Sequence, residues 1–493
     1  MNMNISVLSR VLRWHGVALL MMSSVFIHAQ TYNIRDYGEV SDTNKVCTAA
    51  IQRAIDACHE AGGGQVLIPA GLYKSGTIIL KDNVELHLSS GAQLVASADA
   101  QNFPVQPITP YRSFQEGKGW YSLIYAHGAR HISITGQGII DGRGKGRRSV
   151  AKGVAGNYNV RPRNILLISC KDVRVEGVTI RNSSLWNQHY LDCEDVMVDG
   201  IRAWNHCNGN NDGIDIDGCR RFILSNSIID ADDDGIVLKS TGLAPCEDVV
   251  VNGCVVSSWA NAIKLGTEST GGYRNISISN CVVKPSTNKT GRTIKSTVSG
   301  ITAISLELVD GGIMDGVSVD HILINGTECP IYVRLGNRAR KHIPEAPAPQ
   351  MGKMRNISIS NIQAYHVGNF GSSITGVPSG RIENITLSNI YISNRGGLQK
   401  GSYRTHGDDH GKRHDTGANL HFDQYWESVR DLKEDEAGYP QPTVWANLPC
   451  YGLLARHVER LRMNNVVFES EGSEPRKAVL LDDVLHYEGQ KWK

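Results

Sequence analysis

Four short stretches decide the fold: Cys170-Lys-Asp-Val-Arg-Val, Cys193-Glu-Asp-Val-Met-Val, Cys219-Arg-Arg-Phe-Ile-Leu and Cys246-Glu-Asp-Val-Val-Val. They follow one another at steps of 23, 26 and 27 residues. Each sets a cysteine and two polar residues before a short run whose side chains suit a half-buried strand. Similar runs recur along the chain, among them Asn275-Ile-Ser-Ile-Ser-Asn, Asn356-Ile-Ser-Ile-Ser-Asn and Asn384-Ile-Thr-Leu-Ser-Asn. A period in the twenties with several short strands per repeat and almost no helical pattern means a solenoid. Leucine-rich repeats need Leu at fixed offsets, and those are missing. The expected fold is all-β: a right-handed parallel β-helix whose coils stack at the ~4.8 Å strand spacing.

Working outward, 493 residues would suggest about three ordinary domains at roughly 150 residues each, but a repeat array overrides that count. One domain is expected over residues 30–493. Thr48 to Ala61 reads as a helix with an apolar stripe at Ile51, Ala54, Ile55 and Cys58, ended by Gly62-Gly63-Gly64. It is placed to cap the open strand edges at the start of the solenoid. Residues 400–445 are polar with charges of both signs and read as a loop insertion. Before the domain, Arg10 and Arg13 precede a 12-residue apolar run, Gly16 to Ile27, and Ala29-Gln30 offers a cleavage point. Residues 1–29 therefore read as a signal peptide, which predicts an exported, periplasmic or extracellular chain with no membrane span after cleavage. Lys+Arg 51 against Asp+Glu 49 gives a net charge of +2, which disfavours a nucleic-acid partner.

Eleven cysteines in an exported chain raise the question of disulfides. The column Cys170, Cys193, Cys219, Cys246 reads better as a ladder of buried free thiols acting as small apolar side chains. No CxxC or HxxxH pair accompanies these cysteines, which disfavours zinc there; no metal or cofactor is assigned to the chain.

Carboxylates gather in two successive coils: Asn210-Asn-Asp-Gly-Ile-Asp-Ile-Asp217 and Asp232-Asp-Asp-Gly-Ile-Val-Leu-Lys239. Aligning the Gly-Ile pairs sets Asp212 over Asp234, with Asp233 beside them. Carboxylates this close repel, so one must hold a proton unless a cation neutralises them. Turn formation, a calcium site and acid–base catalysis of glycosidic cleavage all remain open from these residues alone.

The chain from Tyr32 onward resembles the polygalacturonase and rhamnogalacturonase family, glycoside hydrolase family 28. The resemblance rests on Tyr32-Asn-Ile-Arg-Asp-Tyr-Gly, Ala50-Ile-Gln-Arg-Ala-Ile-Asp, Gly63-Gly-Gln-Val-Leu-Ile-Pro, Asn210-Asn-Asp-Gly and Asp233-Asp-Gly. It implies an inverting hydrolase of α-glycosidic bonds in pectic polysaccharide. Asp233 would be the general acid, and Asp212 and Asp234 would hold and deprotonate the water. The chain departs from the family at two places. Asn261 stands where a family His is expected, and Ser305, within Ala303 to Glu307, stands where a clamp Lys is expected. Plain polygalacturonate is therefore expected to be a poor substrate, and a branched or rhamnose-containing chain a better one.

Candidate substrate contacts are Asn210, Asn261, Lys264, Glu268, Arg334 and His189, with Trp186 as an aromatic platform and Arg456-His457 as a further basic pair. Lys264 and Arg334 are expected to line the cleft, and Arg292 or Lys295 could restore the clamp from a shifted loop. Loops 285–300, 337–352 and 400–445 are candidates for closing the cleft. Two competing readings are a calcium-dependent pectic lyase with Lys239 or Lys264 as base, and a non-catalytic carbohydrate-binding β-helix.

Overall fold

A computed structural model describes residues 30–38, 45–107, 120–145, 160–288, 300–402 and 424–492. The expected signal peptide 1–29, Arg292, Lys295 and residues 403–423 of the insertion lie outside the described residues. Among these, 31 strands join into one hydrogen-bonded stack running from Thr31–Asn33 to Lys477–Gly489. Neighbouring strands pair parallel, each with its counterpart about one repeat later, which is a parallel β-helix as the repeat predicts.

The cysteine column explains the register. The Glu194 N–H donates to the Cys170 carbonyl, Arg220 to Cys193 and Glu247 to Cys219, each at 2.9 Å. The cysteines thus lie on adjacent coils, all four buried as free thiols. Three residues on, Val173, Val196, Phe222, Val249 and Ile276 form a buried column in exact strand register. Burial of each such side chain stabilises the stack by about 1.5–3 kcal/mol. A one-residue slip would turn the whole column to solvent.

Asparagines mark the corners. Asn356, Asn361, Asn384 and Asn389 take left-handed backbone conformations with φ of 53 to 56°, which a short amide side chain tolerates. Their amides stack from coil to coil: Asn384 donates to Asn356 at 2.7 Å and Asn389 to Asn361 at 3.1 Å.

Helix α1 spans Thr48–Glu60, one residue shorter than expected, and buries Ala50, Ile51, Ala54, Ile55 and Cys58 over the first coils. The chain leaves the helix through Gly63, whose φ is +124° and where a Cβ would lie 2.6 Å from Asn83. Only glycine fits that exit.

Two residues expected to face solvent or substrate are covered by other parts of the chain. Arg334 is buried, donating to the Gly376 carbonyl at 3.0 Å and the Asp435 carbonyl at 3.1 Å, with its guanidinium over the Trp445 ring. The insertion covers it, so it does not line an open cleft. His189 is fully buried, bonded through Nε2 to Asp217 at 3.0 Å and packed on Trp120 and Trp186. It is therefore enclosed on the outer side of its strand by Asp217 and two indole rings and does not reach the surface. Trp186 is buried too.

Candidate active site

One face of the solenoid carries the chemistry. Its strands Gln188–Leu191, Ile214–Asp217, Ile236–Ser240, Asn261–Ser269, Thr302–Leu308 and Cys329–Leu335 stack in that order. Ile214 pairs with Ile236 and Ile236 with Ile263, the alignment expected from the Gly-Ile pairs. The aspartates sit in the turns that feed these strands. The Gly213 N–H donates to the Asp234 carbonyl at 2.9 Å, and the Gly235 N–H donates to the Asn261 carbonyl at 2.8 Å. A Cβ on Gly213 would lie 2.5 Å from the Gly235 carbonyl oxygen. The glycine after Asp212 is thus required by close coil stacking.

Asp212, Asp233 and Asp234 each bring one carboxylate oxygen to within 4.8 Å of the others. Asp212 and Asp234 are 2% and 4% exposed, while Asp233 is only half-buried. Two lysines divide the charge. Lys264 Nζ lies 3.1 Å from Asp234 Oδ2, and the Asn261 amide donates to Asp234 Oδ1 at 2.6 Å. Lys239 Nζ lies 3.5 Å from Asp212 and 3.4 Å from Asp215. Among the described residues Asp233 has no ion pair; its Oδ1 accepts the Asp234 N–H at 3.0 Å.

Burial pushes the Asp233 carboxyl up to about 6, and the neighbouring charge of Asp234 adds to the shift. Burial likewise holds Asp212 well above the usual carboxylate range, with Asp215 adding, and lifts Asp215 to about 8 despite Lys239. Both lysines are held well above the usual ammonium value: their carboxylate neighbours outweigh burial, which acts the other way. Each therefore stays charged, and neither suits a lyase base, which must be neutral to take a proton. Their ammonium groups also supply the positive charge that a calcium ion would otherwise bring to the trio.

The remaining candidates fall into place around this centre. Glu268 bridges Lys239 at 3.8 Å and Arg340 at 3.0 Å. Asn210 is exposed on the rim, where its Oδ1 accepts from Arg161 at 3.3 Å. Asn211 is buried and its amide donates to the Ser183 and Leu185 carbonyls, so it shapes the turn before Asp212. Arg456 and His457 are tied to Glu434, Asp482 and Asp483 and take no part in the centre. Ser305, at the expected clamp position, pairs in register with Lys264 and donates to Glu307 at 2.7 Å.

Several residues at the site carry no local signal in the sequence. Tyr439, 50% exposed, brings its ring within 5.8 Å of Lys264 from the insertion. Arg338 reaches Asp310, and Arg340 lies against both Asp310 and Glu268. Arg163 is buried between Trp120 and Trp186, and burial pushes it down to about 10. Their places depend on segments far apart in the chain. The sequence pointed to the loops 337–352 and 400–445 that carry Arg338, Arg340 and Tyr439, but not to these side chains.

A parallel β-helix with a carboxylate cluster in the turns of one face defines a class of carbohydrate-active proteins. The profile of Glycosyl hydrolases family 28 matches residues 58–400. This chain belongs to that family and is a glycoside hydrolase. It is 26% identical over 390 residues to a probable polygalacturonase of Vitis vinifera, covering 75% of this chain and 76% of that protein. It is 27% identical over 248 residues to an exo-poly-alpha-D-galacturonosidase of Dickeya chrysanthemi, 41% of each. Among solved structures, the family 28 exopolygalacturonase of Yersinia enterocolitica superposes with a TM-score of 0.63 at 19% identity, covering 94% of this chain and 79% of that one. The exopolygalacturonase of Thermotoga maritima gives 0.60 at 23%, covering 75% and 88%. These structural likenesses speak to the fold.

Proposed function

We propose that this chain is an exported hydrolase of α-galacturonide bonds in pectic polysaccharide, with Asp233 as general acid and Asp234 and Asp212 activating the water. The observation that carries this reading is the division of charge in the trio: Asp234 is held by an ammonium and an amide, while Asp233 has no ion pair among the described residues and a raised pKa. Asp233 gives its proton to the glycosidic oxygen as the C–O bond breaks. A water attacks the anomeric carbon and passes its proton to Asp234, with Asp212 orienting it. Oxygens within 4.8 Å of one another leave room for one bridging water. The galacturonide reading draws on the names of the matched relatives. Export draws on Arg10, Arg13 and the apolar run before Ala29. No helix among the described residues is long and apolar enough to cross a membrane.

Incubation with polygalacturonate, trigalacturonate and rhamnogalacturonan fragments tests the substrate. A galacturonate-containing product without ultraviolet absorbance at its new end is expected; an unsaturated product would mean a lyase. Release from unbranched polygalacturonate should be slow. Lys239 and Lys264 are engaged by carboxylates and Arg334 is covered, so among the described residues no free clamp of Arg-X-Lys type stands at the trio.

Inversion rests on the family resemblance. The carboxyl oxygens approach more closely than the ~6.5–9.5 Å usual between acid and base in inverting enzymes. Proton NMR of the first-formed sugar decides it: the β anomer is expected from an α bond, and the α anomer would show retention.

The acid must be protonated, so kcat/KM is expected to fall as pH rises through about 6, the value to which Asp233 is pushed. A profile flat to pH 8 would remove Asp233 from the acid's role.

A further inference from the structure

The stretch Asn261-Ala-Ile-Lys264 lacks the histidine that the family resemblance calls for, yet it closes on Asp234 from two sides. Lys264 Nζ and the Asn261 amide take one carboxylate oxygen each, and both side chains are buried. Behind the ammonium stands a second carboxylate. Glu307 Oε2 lies 3.8 Å from Lys264 Nζ and has no hydrogen bond, while Oε1 accepts from Ser305. In the next coil Ser305 pairs directly with Lys264, so strand register fixes the ammonium between the two acids.

We propose that Lys264 and Asn261 are positioning residues that hold the Asp234 carboxylate aimed at the water, and that Glu307 tunes them by competing for the same ammonium; this deepens the hydrolase reading above and rests on it. The physical basis is simple. An opposite charge within hydrogen-bonding distance favours ionisation, and a like charge opposes it. Lys264 stays charged throughout and transfers no proton. The groups facing it are Asp234 and Asp233 from the preceding coil, Glu307 from the next and Tyr439 from the insertion. Arg338 and Ser305 face Glu307 in turn. Burial lifts Glu307 to about 7, so it can take a proton itself when the lysine is removed. That makes a lysine-to-methionine change tolerable to the fold.

The test is the pH dependence of kcat/KM on trigalacturonate for the wild type, Lys264→Met, Lys264→Arg, Glu307→Gln and the double variant K264M/E307Q. Removing the ammonium 3.1 Å from Asp234 should move the acid limb up by about one to three pH units. The alkaline limb should follow by less, since Asp233 has no ion pair with Lys264. Glu307→Gln should move the acid limb the opposite way, because Lys264 then serves Asp234 alone. Lys264→Arg should stay near the wild type. The double variant buries no unpaired glutamate and should show the limb of Lys264→Met, so the question is answered even if the single variant folds poorly. An ion pair that merely braces the coil would lower the melting temperature and leave both limbs in place; that result, with wild-type cleavage intact, overturns the inference alone. Failure of the wild type to hydrolyse any galacturonide overturns the function and the inference with it.

Discussion

Asp233→Asn is expected to lower kcat on a natural pectic substrate by about 10²–10⁴-fold, the usual worth of a positioned general acid. Asparagine keeps the size of the side chain and can still accept the Asp234 N–H that Asp233 Oδ1 now accepts at 3.0 Å. It cannot release a proton to the departing oxygen, which must then leave as an alkoxide. Because Asp233 has no ion pair among the described residues, neutralising it strands no buried cation, and the melting temperature should hold within a few degrees. An aryl galacturonide with an acidic phenol needs little protonation and should retain most of its rate. Near-normal turnover of the natural substrate would remove Asp233 from the acid's role.

The largest expected loss of stability is at the other end of the solenoid. Arg476 is buried, clamped through Nε and Nη2 to both oxygens of Glu474 and through Nη1 to the Asn369 and Leu448 carbonyls at 2.8 and 3.1 Å. It ties three segments of distant sequence together. Glu474→Ala leaves that guanidinium uncompensated, at a cost of about 3–5 kcal/mol. Coils contact only their neighbours, so the damage should stay local. Hydrogen exchange is expected to quicken across 450–489 while the coils bearing Asp212 and Asp234 remain protected. Uniform loss of protection, or none, would contradict this local clamp. Replacing Glu474 and Arg476 together with apolar residues of similar volume should recover much of the loss, because a buried pair contributes less than the cost of breaking it.

The cysteine spacing and the Gly-Ile pairs were legible because a solenoid repeats its environment every coil. A residue's place in the repeat then states its neighbour above and below. Thus Val173, Val196, Phe222 and Val249 stack as their spacing implies, and Ile214 meets Ile236. The apolar stripe of α1 was legible for the same local reason: Ile51, Ala54, Ile55 and Cys58 recur at helical spacing, and all four are buried.

Alternation told which side of a strand Arg334 and Lys264 occupy, but not what lies on that side. Arg334 points away from the core as expected and meets Asp435 and Trp445, about a hundred residues later in the chain. Lys264 points away from the core too and is captured by Asp234 and Glu307. His189 occupies an analogous outward place, yet Trp120, Trp186 and Asp217 enclose it.

The sequence by itself determined the parallel β-helix, the capping helix and the carboxylate column, because each depends on periodic contacts between successive coils. Tertiary structure alone decided which cations serve which carboxylates, which of the three aspartates stands without an ion pair among the described residues, and which basic residues the insertion covers. Those outcomes depend on distances of 3 to 4 Å between groups brought together across coils and from the insertion, and Coulomb energy and desolvation change steeply over that range.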